Sequence, residues 1–257
     1  MDVIIIGAFA FFASLLTFFS GFGLGTILTP VFAVFFPPQI AVAQTSIVHF
    51  LNNVFKLFLI GKHANRKIIL AFGIPAILGA IGGSYALLLF SQSAPVLTYI
   101  ISEKEFFITP LKLAIGSMII VFSLAELVPA FAKRGFAKDN LTIGGLFSGF
   151  FGGLSGHQGA LRSAFLIHYN LEKEEYVATG TVIACIIDVT RISLYISFFY
   201  SMDLFQNGSH IIIAALCAMT GAVAGNFLLR KSTLRFVQLL TQGLLIILAL
   251  AIGSGLI

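Results

Sequence analysis

Apolar stretches long enough to cross a hydrocarbon layer about 30 Å thick follow one another along nearly the whole chain. Six are uninterrupted, at residues 39–60, 68–90, 106–129, 175–200, 210–229 and 235–256. A chain of this kind must satisfy its peptide groups without water, and each stretch is therefore read as a transmembrane helix. Composition closes off the soluble alternative: of 257 residues, 58% are hydrophobic and 10% are charged, against roughly 25% charged in a soluble domain. A mean hydropathy of +1.04 leaves too little polar surface for a water-exposed fold. The apolar start from Val3 to Phe19 leads straight into further apolar sequence, so it reads as part of the fold and not as a secretory leader. The net charge of +5 sits in clusters between apolar segments, with no basic arm for nucleic acid. Cys185 and Cys217 fall inside apolar runs and suggest neither a disulfide scaffold nor a metal site, and no cofactor motif stands out.

Two further regions are interrupted. Residues 3–36 are broken by Gly21, Gly23, Gly25 and Pro30, and residues 141–169 by Gly144, Gly145, Gly149, Gly152, Gly153, Gly156 and Gly159. Interior glycine costs a helix about 1 kcal/mol relative to Ala, so each region reads as two limbs joined by an unwound turn. The limb from Gly156 to Tyr169 reaches only about 20 Å at 1.5 Å per residue, which suits a half-depth re-entrant element.

Charge bias bears on how these limbs run. Lys62, Arg66 and Lys67 form one basic loop, Lys133, Arg134 and Lys138 a second, and Arg230, Lys231 and Arg235 a third. All three fall on the cytoplasmic side only if both broken regions leave and return on the same face. The competing arrangement is eight plain spans. The chain also resembles itself: Ser20-Gly21-Phe22 matches Ser148-Gly149-Phe150, and Gly79-Ala80-Ile81-Gly82-Gly83-Ser84 resembles Gly221-Ala222-Val223-Ala224-Gly225-Asn226. The offset that pairs Val42-Ala43 with Val177-Ala178 also pairs Asn53 with Asp188 and Lys56 with Arg191. The expected fold is thus an all-α polytopic membrane protein of two homologous, inverted halves, residues 1–130 and 131–257. Each half holds a glycine-broken re-entrant hairpin and three transmembrane helices, an arrangement suited to transport because exchanging the conformations of the halves changes which side a central site faces.

Polar residues inside the spans need a partner or a task, since a charge at a helix centre costs about 2.5–3.5 kcal/mol on insertion scales. His49, Asn53 and Lys56 share one helical face with Thr45, and Thr181, Asp188, Arg191 and Tyr195 form the equivalent stripe. Asp188 and Arg191 can pair along their helix, either as a structural couple or with Arg191 also touching substrate. Lys56 either serves the site or snorkels to the nearby face. The turn holding Gly152, Gly153, Ser155, Gly156 and His157 opens a half-helix whose N–H groups and dipole favour an anion, with Arg162 two turns on. Ser155 capping the helix, or glycine serving only close packing, are the other readings of that turn. Gly23, Gly25 and Thr26 in the matching turn could complete the site.

Two Ser-Gly-Phe breaks, each followed by a helix carrying Ala43-Gln44-Thr45-Ser46 or Ala178-Thr179 and then by a Gly-Ala-X-X-Gly helix, resemble the sulfite exporter TauE/SafE family of bacterial membrane permeases. The resemblance covers nearly the full chain and rests on the order and duplication of loose glycine motifs. It implies a secondary transporter, not an enzyme, in a bacterial or archaeal inner membrane. Its cargo would be sulfite, sulfoacetate or another organosulfonate, carried by alternating access with proton or sodium coupling; an anion channel, or transport of thiosulfate or another small organic anion, is the alternative. His157, Gln158 and Arg162 depart from the commonest form of the second turn. Thiol labelling from outside, in a variant lacking Cys185 and Cys217, is expected to miss the loops at Arg66, Arg134 and Lys231; strong external labelling at Lys231 alone would require eight ordinary spans instead.

Overall fold

The computed structural model describes residues 2–17, 24–127, 140–199, 208–228 and 235–257. Its helices are α1 (Asp2–Thr17), α2 (Leu24–Ala33), α3 (Pro38–Ile60), α4 (Arg66–Ser91), α5 (Pro110–Leu127), α6 (Leu141–Ser155), α7 (Gln158–Leu166), α8 (Lys173–Phe199), α9 (Gly208–Leu228) and α10 (Arg235–Gly253). The expected glycines at 21 and 23, the loop at 133–138 and the cluster at 230–231 lie outside the described residues. Among those described, Arg66–Ser91, Lys173–Phe199 and Gly208–Phe227 are long and apolar enough to cross a membrane. α3 is comparable in length at 23 residues, but its interior face carries Gln44, Thr45, Ser46, His49, Asn52, Asn53 and Lys56, all buried.

One expectation is corrected outright. The span expected at 106–129 begins only at Pro110, and the sequence before it forms an antiparallel hairpin of β1 (Leu97–Ile101) and β2 (Lys104–Ile108). β-branched and aromatic residues dominate both strands, Tyr99 stacks on its cross-strand partner Phe106 at 5.4 Å, and Ser102 and Glu103 close the turn at positive φ. Pro110 then opens α5, where a missing N–H is harmless. The protein is therefore largely helical with one small hairpin. Tyr99 fastens that hairpin to the carbonyl of Ser254 at 2.6 Å.

Helix contacts follow a pseudo-two-fold pattern. α4 packs along α6 as α9 packs along α1, while α3 crosses α8 and α5 crosses α10. Directions can be read from residue pairs. Gly145, Gly149 and Gly153 meet Phe72, Ala76 and Ala80 in ascending order, so α4 and α6 are parallel. Gly7 meets Ile213 and Cys217, and Gly221 meets Phe11, so α1 and α9 are parallel too. The two self-paired couples run antiparallel: Asn65, just past α3, reaches Glu175 and Thr179 at the start of α8, and Lys112 reaches Gly255 beyond α10. This packing is consistent with an inverted-repeat fold.

The outer and inner faces differ as they must in lipid. Leu70, Ile74, Leu78 and Leu89 on α4 are more than half exposed, while Gln44, Thr45, Ser46 and Asn52 are fully buried. Apolar burial offers no drive for helix association in hydrocarbon, so close van der Waals contact must supply it. Along the α4–α6 seam a Cβ added at Gly79, Gly83, Gly145, Gly149 or Gly153 would collide with the facing backbone. Gly149→Ala is accordingly expected to lower stability in detergent by about 1–3 kcal/mol, whereas Gly208→Ala, with nothing within 4 Å of the added carbon, should not. Equal unfolding midpoints for the two variants would contradict the close-packed seam.

Candidate functional site

The polar faces of α3 and α8 meet where the helices cross. Asp188, fully buried, accepts hydrogen bonds from both sides of that crossing. His49 Nδ1 lies 2.6 Å from Oδ2, and Asn53 Nδ2 donates to the same oxygen at 3.4 Å. Gln158 Nε2 donates to Oδ1 at 2.9 Å, and Arg191 donates there twice, through Nε at 3.0 Å and Nη2 at 2.8 Å. Asn53 and Asp188, paired by the sequence repeat, thus touch each other, as positions near a two-fold axis should. A buried carboxylate costs several kcal/mol unless its lone pairs are met, and here four side chains meet them.

Arg191 has a second task. Its Nη1 donates to the Gly152 carbonyl at 3.0 Å, and the Tyr195 hydroxyl donates to the Gly153 carbonyl. Both carbonyls belong to the last turn of α6: that of Gly152 also accepts the Gly156 N–H at 2.9 Å, so Arg191 adds a second bond there, and a cation at a helix C-terminus also opposes the helix dipole favourably. Arg191 therefore joins the end of α6 to Asp188 with all its guanidinium nitrogens engaged.

α6 ends because Gly156 takes φ +84°, a conformation glycine adopts without steric cost. The chain turns through His157, and α7 runs back along α6: Gly144 faces Phe165, and Ser148 Oγ donates to the Gln158 carbonyl at 2.9 Å. His157 is fully buried, with Nδ1 3.0 Å from the Ser155 carbonyl and its ring stacked on Phe122 at 6.2 Å. The turn abuts the opposite half. A Cβ at Gly25 of α2 would sit 3.0 Å from the Gly156 carbonyl, and one at Gly156 would sit 3.0 Å from Thr29 Oγ1. The two short helices meet backbone to backbone at this point, with Thr26 and Thr29 buried beside it.

A cavity of about 30 Å³ lies next to this cluster. His49, Asn53 and Lys56 from α3, Arg162 from α7 and Tyr176, Gly180 and Thr181 from α8 line it, and Thr17 and Leu24 border it. Lys56 of α3 and Arg162 of α7 are each 6% exposed. Gly180 makes room for the second: an added Cβ would stand 3.2 Å from Arg162 Nε. No Asp or Glu is among the described lining residues.

Of the residues expected from sequence, His49, Asn53, Lys56 and Arg162 therefore share one cavity. Asp188 and Arg191 stand behind it, bonded to each other. Gly25, Thr26, Gly152, Gly153, Ser155, Gly156 and His157 lie in and around the helix crossing and do not line the cavity. Gly153 turns toward Ala80 and Ser84 of α4, and Gly152 toward Gln158 and Ile187. Gly23 is outside the described residues. Sequence reasoning missed Gln158 as a ligand of Asp188 and missed Tyr176 and Gly180 as lining; a Tyr four residues before a Gly on the stripe that holds Thr181 was the available signal.

The profile of the sulfite exporter TauE/SafE family matches residues 6–252. The chain belongs to that family. A TauE/SafE protein is a multi-pass membrane transporter and not an enzyme, which gives the buried polar cluster and the cavity beside it a setting inside the bilayer. No curated protein and no solved structure matches the chain. Among the described residues no group of three or more His, Cys, Asp or Glu could hold a metal ion.

A double-mutant cycle on Asp188 and Arg191 checks the hub. Asp188→Asn or Arg191→Gln alone leaves one buried charge without its counter-ion and is expected to cost about 3–5 kcal/mol. The double variant should cost less than the sum by about 1–3 kcal/mol, read from unfolding of correctly inserted protein. Additive losses would contradict the ion pair.

Proposed function

We propose that the protein is a secondary transporter of small sulfur-containing oxyanions, sulfite or an organosulfonate such as sulfoacetate, working by alternating access. The carrying observation is the cavity that gathers one buried cation from each half and no carboxylate from either. Asp188 would otherwise repel an anion, but Arg191 cancels its charge. Lys56 offers a compact charge with three donors, Arg162 a planar fork, and His49, Asn53, Tyr176 and Thr181 further hydrogen-bonding groups. Oxyanions bind such sets through charge-assisted bonds that tolerate different shapes, so related anions compete.

Residues 1–130 and 131–257 act as the two inverted halves in this reading. α6 and α7 form a re-entrant hairpin, supported by their antiparallel packing and by the short length of α7, nine residues. α1 and α2 are its counterpart. The hairpin tips meet at Gly25 and Gly156, where Gly156 comes close to the buried hydroxyl of Thr29. Movement of one tip past the other would open the cavity to the second side while closing it to the first. The volume of about 30 Å³ accommodates about two water-sized groups. Coupling to a proton or sodium ion would act through the His49, Asn53 and Asp188 cluster beside it.

Uptake of labelled sulfite and sulfoacetate into proteoliposomes tests the reading. Wild type should saturate and show counterflow. Arg162→Gln is expected to weaken anion binding about ten- to hundredfold, the worth of a lost charge-assisted bond, and Lys56→Met similarly. Arg162→Lys, keeping charge without the fork, should fall between. Unchanged affinity and transport in both Arg162→Gln and Lys56→Met would overturn the assignment of the cavity.

A further inference from the structure

We infer that His49 is the site of a proton taken up together with the anion, making the protein a proton–anion symporter. The inference rests on the anion cavity proposed above and adds the identity of the coupling ion.

His49 stands between two electrostatic environments. Its Nδ1 contacts Asp188 at 2.6 Å, while the residue also lines the cavity with Lys56 and Arg162. A carboxylate accepts only, so Nδ1 carries a hydrogen in either charge state and donates it to Asp188. That fixes the tautomer and leaves Nε2 as the nitrogen that gains or loses a proton. Asn53 Nδ2 lies 3.0 Å from Nδ1 and 3.4 Å from Nε2, and its bond to Asp188 fixes which way the amide faces.

The charges facing His49 come from three helices. Asp188 and Arg191 project from α8, Arg162 from α7, and Lys56 from its own helix along the cavity wall. α2 has no ionisable side chain. On α9, Cys217 faces Gly7 and His210 faces Phe36, away from the cluster. Arg191 and Asp188 cancel, which leaves Lys56 and Arg162 as the charges that a proton on Nε2 would join. In the empty cavity a third positive charge beside two others is disfavoured. An anion between them offsets their charge, and the proton is then held more readily. By linkage the proton must strengthen anion binding by the same factor that the anion strengthens proton binding. Sodium fits the cluster poorly: both Asp188 oxygens already accept from Arg191, Gln158, His49 and Asn53, and three cationic side chains surround the place a metal ion would take.

Calorimetric titration of the purified full-length protein with sulfoacetate tests this, since that ion's carboxyl titrates near about pH 4 and its charge is constant above about pH 5.5. Lowering the pH from about 8 to about 6 is expected to tighten binding about tenfold, within the range usual for coupled sites. Titrations in two buffers of different ionisation enthalpy should show net proton uptake with the anion between those limits. His49→Gln should flatten the pH dependence and abolish the uptake, and His210→Gln, at a histidine that packs on Phe36 away from the cavity, should retain both. Wild type that binds sulfoacetate with pH-independent affinity and no proton uptake would overturn the symport inference while leaving the anion cavity standing. Loss of the pH dependence in His210→Gln, or its survival in His49→Gln, would overturn the assignment to His49. Wild type that binds no sulfoacetate at any pH would overturn the anion reading, and the inference with it. The wild-type proton uptake decides the matter even if His49→Gln fails to fold.

Discussion

A carboxylate buried at the centre of a membrane protein has to be neutralised, and the way Asp188 is neutralised organises this molecule. Its ligands come from α3, from α7 and from its own helix α8, so the halves and the broken segment are tied to one group. Arg191 carries the tie further, to the Gly152 carbonyl at the open end of α6. Stopping α6 there is what leaves α7 free to return, and the return of α7 is what brings Arg162 to the cavity. Loss of the carboxylate would thus release a helix end, a turn and the Arg162 guanidinium together, not a single bond.

The seam between α4 and α6 plays the complementary part. Because lipid gives helices no hydrophobic reason to associate, contact must come from backbones that fit, and glycine on both surfaces lets them. A close-packed pair of this kind stands on each side of the pseudo-two-fold pattern, α1 against α9 as α4 is against α6. The approach of α2 to the turn between α6 and α7 is by contrast a small contact, Gly25 against Gly156.

Much of this was legible in the sequence, for reasons that also explain what was not. Apolar runs of spanning length encode helices directly, and α3, α4, α8 and α9 begin within two residues of the expected positions. Glycine density marked the break at Gly156, since only glycine enters that conformation cheaply. Spacing of four and three placed His49, Asn53 and Lys56 on one face, and the structure puts them on one cavity wall. What one-dimensional reasoning could not assign was the partner of each face. Gly153 serves a facing helix, and nothing in its neighbours tells helix from anion. Gln158 reads as a turn residue until α8 supplies Asp188. Of the hairpin at Leu97–Ile108, the end of the second strand, Phe106–Ile108, is as apolar as the span that follows and hydropathy merged the two, while the first strand falls in the loop between two expected spans.

Substrate position is the claim on which the functional account turns. A structure of the protein soaked in selenite, recorded at the selenium edge, locates the anion directly by anomalous scattering. The account expects one dominant peak within about 4 Å of both Lys56 Nζ and the Arg162 guanidinium, with selenite oxygens in hydrogen-bond reach of each, on the cavity side of His49. A dominant peak at the Gly25–Gly156 crossing, with the space between Lys56 and Arg162 unoccupied, would contradict it and return the site to the glycine turn.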